Sequence, residues 1–541
     1  MLVLAGLNSS VAVAAVVPPV IPGITGNASD PSNIPCSLNG TPGLCVYTSS
    51  DTGEGDNNGH FFMDRIRGFF TSDNGQTWVD KGVLVQESDL DKSKANGFVP
   101  DVAAASGFQG PKHVWAPDAI RIGNTNTYFL YVPDIKDAAA INTSGRVGVL
   151  RSTTGPFGPF SLLGYVKSSA GEPGHMSDPD VIRVGADYWL SWTDGDGANC
   201  GVAGLQGLVI ARLNSDMITY VESTKRGISP SGMKPTFGEC RSGAGRPYLE
   251  GSSIYDLSNM GNGVSISMPG ITDDPQQKYV MTMSAAPAGT PPECAVSLGY
   301  EGTNLQAIAY ATSDTVDGSA GPDGIAGYTY RGILFCGGSA EWTNHGSLAV
   351  LNTWNTPSAK RLVYLYHDGP SYPHNRKPRV DCVIDSYGKL LTQHRTNEGL
   401  SWCMTAWSVV AFSTNGKWVT GEDATNGGPP AGTIQTRADR IGWWEEFQLF
   451  NTGTTMRIQA RINKKWIRIN SSNELFADQA TVDTAADFVL ESHPELGDVW
   501  YIKILVNNQY QYVRADPSSK HLKLAGTVPD SSFLFHINTM Y

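Results

Sequence analysis

Ser177-Asp178-Pro179-Asp180 followed by VIRVGADYWLSW (181–192) reads as a β-hairpin entered through a turn. Asp-Pro favours a turn, the Val, Ile, Tyr and Trp runs favour strands, and Gly185 marks the reversal. The plan recurs on both sides. Upstream lie Trp115-Ala116-Pro117-Asp118 with AIRIGNTNTYFLYV (119–132), and Asp30-Pro31 leading to CVYTSSD (45–51). In that first unit SNIPCSLNGTPGLC (32–45) reads as an insertion pinned by Cys36–Cys45. Downstream lie Glu250-Gly251 with SSIYDLSNM (252–260) and KYVMTMSAA (278–286), then His345-Gly346 with SLAVLN (347–352) and RLVYLYHD (361–368). Each unit is followed by a further strand with a recurrent ending, such as GFFTSDNGQTW (68–78) or AIAYATSDTVDG (307–318).

Several antiparallel strands repeated five times predict an all-β fold in which the sheets stack radially, because a closed ring leaves few bare sheet edges. A solenoid would need capping repeats, and none is visible. A shorter repeat follows: VVAFSTNGKWVTGED (409–423) with WWEEFQLF (443–450), MRIQARINKKWIRINSS (456–472) with DFVLES (487–492), and WYIKILVNNQYQYVRAD (500–516) with SFLFHIN (532–538). Three such units suffice for a β-trefoil, and they resemble fascin-like trefoil modules. The expected organisation is a signal-like segment over 1–20, a five-bladed β-propeller over 21–403 and a trefoil over 404–541.

Composition bounds the function. Gly 60 and Pro 32 against 17% charged residues fit many turns and few long surface helices. A formal net charge of -12 disfavours a phosphate backbone as partner. No stretch after the first residues is long and apolar enough to span a bilayer, so no membrane partner is expected. Residues 1–17 are apolar and small, like a secretory signal that lacks its positive start. Eight cysteines agree with an extracellular chain. Local pairing would give Cys36–Cys45, Cys200–Cys240, Cys294–Cys336 and Cys382–Cys403, while the lack of any Cys-x-x-Cys argues against metal ligation. Sequons stand at Asn8, Asn27, Asn39, Asn142 and Asn470.

In a propeller the innermost strands face the axis, so residues that open them converge. Four of the five openings carry carboxylates: Asp30, Asp118, Asp178 and Glu250. Singly, Asp-Pro and Glu-Gly are turn formers. Their recurrence at one place in the repeat points to a site, because clustered like charges raise one another's pKa and serve chemistry better than stability.

The ordered set Asp30-Pro31, Trp115-Ala116-Pro117-Asp118, Ser177-Asp178-Pro179, Leu249-Glu250-Gly251, His345-Gly346-Ser347 and Tyr366-His367 resembles glycoside hydrolase family 43 over about residues 28 to 390. The resemblance implies an inverting hydrolase of oligo- or polysaccharides. Asp30 would be general base, Glu250 general acid, and Asp178 the third carboxylate that tunes and orients Glu250. Inversion implies about 6.5–9.5 Å between the carboxyls of base and acid. Asp118 matches no catalytic position and reads as a structural or rim residue. Trp115 would wall a sugar face, or pack within its blade. His345 would face the axis, alone or beside a structural calcium. No cofactor is otherwise required. Arg379 and Arg376 could hold a carboxylate or a sugar hydroxyl, with a rim salt bridge preferred for Arg376.

The segment HDGPSYPHNRKPRVD (367–381) resembles the fifth blade of arabinofuranosidases and β-xylosidases. The expected activity is therefore a secreted, exo-acting α-L-arabinofuranosidase, with β-xylosidase and exo-β-1,3-galactanase as alternatives. From another class comes a non-catalytic sugar-binding propeller, disfavoured because all three acids are present; a transferase is a third reading. Extra loops over 195–207 and 286–304 would shape the pocket. In the trefoil, Trp418, Trp443, Trp444, Trp466, Tyr510 and Tyr512 could bind sugar, though most are expected in the core.

Overall fold

The computed structural model describes residues 21, 28–55, 61–90, 113–135, 145–170, 176–194, 207–228, 230, 248–256, 278–286, 307–319, 327–335, 344–352, 354, 360–368, 376–383, 385–386, 389–390, 400, 404, 408–422, 430–439, 443–451, 455–463, 465–481, 485–493 and 499–539. The segment 1–20, the sequons at Asn27 and Asn142, both proposed rim loops but for their end residues, and Cys200, Cys240, Cys294, Cys336 and Cys403 lie outside them. No helix among the described residues is long and apolar enough to cross a membrane. The chain falls into two compact units: Met1–Leu351 with Leu362–Val383 and Lys389–Leu400, and Asn352–Arg361 with Ile384–Gly388 and Ser401–Tyr541.

The first unit is a five-bladed β-propeller arrangement. Its innermost strands are Ser29–Leu38, Asp118–Arg121, Met176–Val184, Tyr248–Asp256 and Asn344–Asn352, each opening one sheet. Apolar side chains fill the gaps between successive blades. Tyr47 and Ile66 meet Tyr128 and Leu130; Tyr131 and Val149 meet Leu190 and Trp192. Ile182 and Ile210 meet Met281 and Ala309, and Val280 and Tyr310 meet Leu348 and Tyr364. Between the last blade and the first, Ala28 N–H donates to Arg376 O at 3.0 Å and Ile21 N–H to Pro378 O at 3.1 Å.

One expectation is corrected. The segment read as an insertion after Asp30 is the innermost strand of blade 1. Ser29–Leu38 runs straight through it, turns at Asn39-Gly40, and pairs in register with the next strand (Ile34 opposite Cys45, Cys36 opposite Gly43). The Cys36–Cys45 disulfide thus ties two neighbouring strands and pins no loop. The Asn-Gly pair, with φ of 52° and 83°, is the hairpin signal that this reading missed. Cys382 is also disulfide-bonded.

In the second unit six strands pair into a closed ring. Ser408–Thr414 pairs with Glu446–Asn451, then follow Met456–Ala460, Phe488–Ser492, Val499–Val506 and Leu534–Thr539, which returns to the first. Three further hairpins meet through single bridges, Thr433 to Phe476, Gln435 to His521 and Glu474 to Lys523. Phe412, Phe447, Ile458, Phe488, Ile502 and Phe535 fill the core. Of the aromatic residues expected there, the Trp443 side chain lies outside those described and the other five are elsewhere. Trp418, Trp444, Trp466 and Tyr512 are half-buried and Tyr510 is 42% exposed. Strand alternation gives the buried places to the following residues, Val419, Ile467 and Val513.

In blades 1, 3 and 4 the innermost strand begins with a one-residue bulge. Ser29 faces Ser49 while Ser32 faces Tyr47; Ser177 faces Thr193 while Asp180 faces Ser191; Glu250 faces Ser284 while Ser253 faces Thr282. In blade 2 Trp115 N–H bonds Pro133 O and Asp118 faces Tyr131. Asp118 therefore shares its place with Ser32, Asp180 and Ser253, not with Asp30 and Asp178. The four carboxylates read as equivalent openings occupy three different register positions.

The Asp118 position builds a closed belt of hydrogen bonds. Ser32 donates to Asp118 Oδ1 at 2.5 Å, and Val181 N–H donates to Oδ2 at 2.7 Å, linking blades 1, 2 and 3. Ser253 Oγ and Ile254 N–H each donate to Asp180 at 2.9 Å, linking blades 3 and 4. Leu348 N–H of blade 5 donates to Tyr255 Oη of blade 4, whose own hydroxyl lies 2.6 Å from Ser253. Ser347 donates to Pro31 O at 2.9 Å, and Asn33 Nδ2 reaches Ser347 and Leu348, which closes the ring. Asp118 is buried, so removing its carboxylate strands two donors from water. We expect Asp118→Ala to lower stability by about 1–3 kcal/mol, read as a lower urea midpoint by tryptophan fluorescence. An unchanged midpoint would show that the belt contributes nothing.

Candidate active site

The bulge turns its second residue toward the axis. It is left-handed in all three, Asp30 (φ 51°), Asp178 (φ 47°) and Gly251 (φ 57°), and His345 near the start of the blade 5 strand is left-handed too (φ 38°). For residues other than glycine this costs about 1–3 kcal/mol, and such strain clusters at functional sites. Glu250 stands one place earlier than its counterparts, yet it arrives at the same point. Three carboxylates surround one imidazole: His345 Nδ1 is 3.7 Å from Asp30 Oδ1 and 3.8 Å from Asp178 Oδ1, and Nε2 is 3.3 Å from Glu250 Oε1. Gly251 makes room for the ring, since a Cβ there would lie 2.9 Å from His345 Nδ1 and Cε1.

The three acids live in different electrostatic settings. Burial opposes ionisation of Asp30, but Arg376 and the neighbouring histidines outweigh it and hold the carboxyl far below the usual range. Arg376 Nη1 is 3.4 Å from Asp30 Oδ1, and Ser49 donates to Oδ2 at 3.0 Å. His367 Nδ1 accepts Asp30 N–H at 2.9 Å; burial lowers the pKa of this ring, and Arg376 is the fixed cation beside the acid. Burial raises Asp178 to about 6; His345 opposes this, and Glu250 and Asp30 add to it. Burial disfavours charge on His345, but Asp178, Glu250 and Asp30 together raise it to about 10. A cavity is lined by Asp118, Asp180 and Ser253 as well as Asp30, Asp178 and His345.

The donor atoms of Asp178, Glu250 and His345 lie within 4.8 Å of one another, which invites a test of the expected calcium. Calcium takes six to eight oxygen ligands. Two carboxylates and one ring nitrogen fall short of that number by themselves, and no step is derived through a calcium ion.

Of the other residues singled out in the sequence, Trp115 is half-buried at the register place that Glu250 holds in blade 4. Arg379 is buried opposite Tyr366. Arg376 corrects the reading that preferred a rim salt bridge for it: it is buried and reaches Asp30. Its distance in sequence hid this partner, as it hid Met63, whose sulfur lies 2.9 Å from Arg376 Nη2. Only the pair Tyr366-His367 gave a signal.

Residues 63–264 match the model of Glycosyl hydrolases family 43, a span that includes Asp178 and Glu250. This stretch of the chain is similar to glycoside hydrolases. Among solved structures, the family-43 enzyme from Xanthomonas citri complexed with xylotriose aligns at TM-score 0.45 and 20% identity, covering 70% of this chain and 94% of that one. A β-xylosidase/α-arabinofuranosidase from a compost microbial metagenome aligns at 0.44 and 20%, covering 70% and 97%. An exo-β-1,3-galactanase from Clostridium thermocellum aligns at 0.39 and 9%, covering 93% and 95%. No curated protein sequence matches the chain.

The cluster predicts an unusual titration. By NMR, the His345 ring should stay protonated through neutrality and titrate near about 10. Gly251→Ala, which displaces the ring, should move it back toward the ordinary histidine value of 6.5. A wild-type ring that titrates at the ordinary value would overturn this account.

Proposed function

We propose that the protein is a secreted, inverting glycoside hydrolase acting on plant cell-wall polysaccharide side chains or oligosaccharides. The observation that carries this reading is the convergence of Asp30, Asp178 and Glu250, from three blades, on one imidazole. Asp30, clamped in its ionised form, is suited to take a proton from the attacking water. Glu250 delivers a proton to the leaving oxygen. Asp178 is the third charge that keeps a proton within the cluster. Inversion needs room for a water between base and acid. The ring of His345, with Nδ1 toward Asp30 and Nε2 toward Glu250, supports such a spacing. Trp115 and Arg379 belong to the sugar pocket in this reading.

The activity we favour is exo-acting α-L-arabinofuranosidase, on the fifth-blade segment 367–381; β-xylosidase and exo-β-1,3-galactanase are the alternatives. Secretion is supported by the signal-like segment 1–20 and by Cys36–Cys45, a bridge suited to an oxidising compartment. We read residues 404–541 as a fascin-like β-trefoil, on the six-stranded ring and its three bridged hairpins. Carbohydrate binding by this module is supported by Tyr510, exposed beneath Lys503 at 4.3 Å, with Tyr512 and Tyr501 stacked edge-on beside it.

Hydrolysis of aryl arabinofuranoside, xyloside and galactoside, and of arabinan, tests the proposal. One sugar should be released with inverted anomeric configuration by NMR. Asp30→Ala and Glu250→Ala should each lose about 10²–10⁴-fold on an unactivated substrate. Sugar binding without turnover by the wild type would leave a non-catalytic propeller in its place.

A further inference from the structure

Thr193 lies on strand Asp187–Asp194, opposite Ser177, and is fully buried. Its hydroxyl does two things at once. It donates to Asp178 Oδ2 at 3.1 Å and accepts Gly251 N–H at 3.2 Å. The same rung carries Ser49 in blade 1, bonded to Asp30, and Ser284 in blade 4, opposite Glu250. Only Thr193 among these described contacts bridges one blade's carboxylate to the next blade's backbone. A hydroxyl has one proton to give. With Gly251 N–H on its oxygen, that proton points at Asp178. A donor aimed at a carboxyl favours the ionised form. Gly251 follows Glu250 directly, so the same atom also fixes the backbone beside the acid.

We propose that Thr193 is a positioning residue that keeps Asp178 ionised and thereby leaves the cluster's transferable proton on Glu250. The inference rests on the hydrolase reading above and adds a residue to it. The charged groups that face Asp178 are His345 from blade 5, Glu250 from blade 4 and Asp30 from blade 1; Ser177, 3.4 Å away, and Thr193 complete its surroundings. His345 serves all three acids, while Thr193 singles out Asp178. Without Thr193 the proton drifts to Asp178. Glu250 then has a less negative neighbour, and it ionises at lower pH.

Thr193→Val and Thr193→Ser in the full chain test this. With an unactivated glycoside, Thr193→Val should lose about 10- to 100-fold in kcat/KM, and the alkaline limb of its pH profile should move down by about one unit. With a dinitrophenyl glycoside, whose leaving group needs no proton, the loss should nearly vanish. Thr193→Ser should restore both. Equal losses on the two substrates with unmoved limbs would mean a structural role and overturn the inference. A ¹³C titration of the Asp178 carboxyl gives a reading without turnover: its apparent pKa should rise in Thr193→Val, and an unchanged value also overturns the inference. If the valine variant does not fold, Thr193→Cys, a weaker donor, must give a shift in the same sense or the inference falls. Absence of glycoside hydrolysis by the wild type would instead count against the hydrolase reading.

Discussion

Five strands must be held at one radius around an axis, and the polar belt through Ser32, Asp118, Asp180, Ser253 and Ser347 holds them. The apolar clusters between blades drive the sheets together, but burial of oily surface has no direction and sets no distance. Hydrogen bonds do. Placing two carboxyls in this belt is expensive: burial pushes Asp118 to about 6 and Asp180 well above the usual range. Each offsets that cost with two donors from adjoining blades. Serine at the equivalent places of blades 1 and 4 supplies a donor to each carboxyl, and Ser347 of blade 5 gives its proton to Pro31 O.

The site is built on the same bulges, two residues away. Asp178 and Asp180 are neighbours on one strand, one aimed at the imidazole and the other at the belt. One backbone irregularity thus serves architecture and chemistry. The electrostatic division of labour follows from who sits beside whom. Asp30 meets a fixed guanidinium and is locked in one charge state. Asp178 meets a hydroxyl, an imidazolium and two other acids, and is left poised. His345 sits between them, within 4 Å of all three acids.

Much of this was legible in the chain itself. The hairpin periodicity and the turn dipeptides point to five sheets, and the recurrence of acids at their openings points to the axis. What failed did so for physical reasons. Asp118 looked equivalent to Asp30 because register inside a bulge depends on the partner strand, which a linear reading does not contain. The Asn39-Gly40 turn was absorbed into a supposed insertion because Pro35 and Cys36 do not look like strand residues. Arg376 reads as a holder of a carboxylate or a sugar hydroxyl and His367 as part of a motif, but nothing local ties residues 346 and 337 positions away to Asp30. In the second unit the Trp and Tyr positions looked like core because aromatic rings are apolar, yet alternation along each strand places their smaller neighbours inside.

The bonds from Ala28 and Ile21 to Arg376 and Pro378 have a bearing on when the molecule becomes competent. Asp30 is among the first described residues to leave the ribosome, and its guanidinium partner follows 346 residues later. At ordinary elongation rates of about 5–20 residues per second, the nascent chain waits roughly 17 to 70 seconds between the two. Throughout that interval blade 1 lacks the contacts that lock its acid, and His345 has yet to join or has only just joined the cluster. A site assembled from both ends of a ring cannot form in any partial product that ends before Arg376.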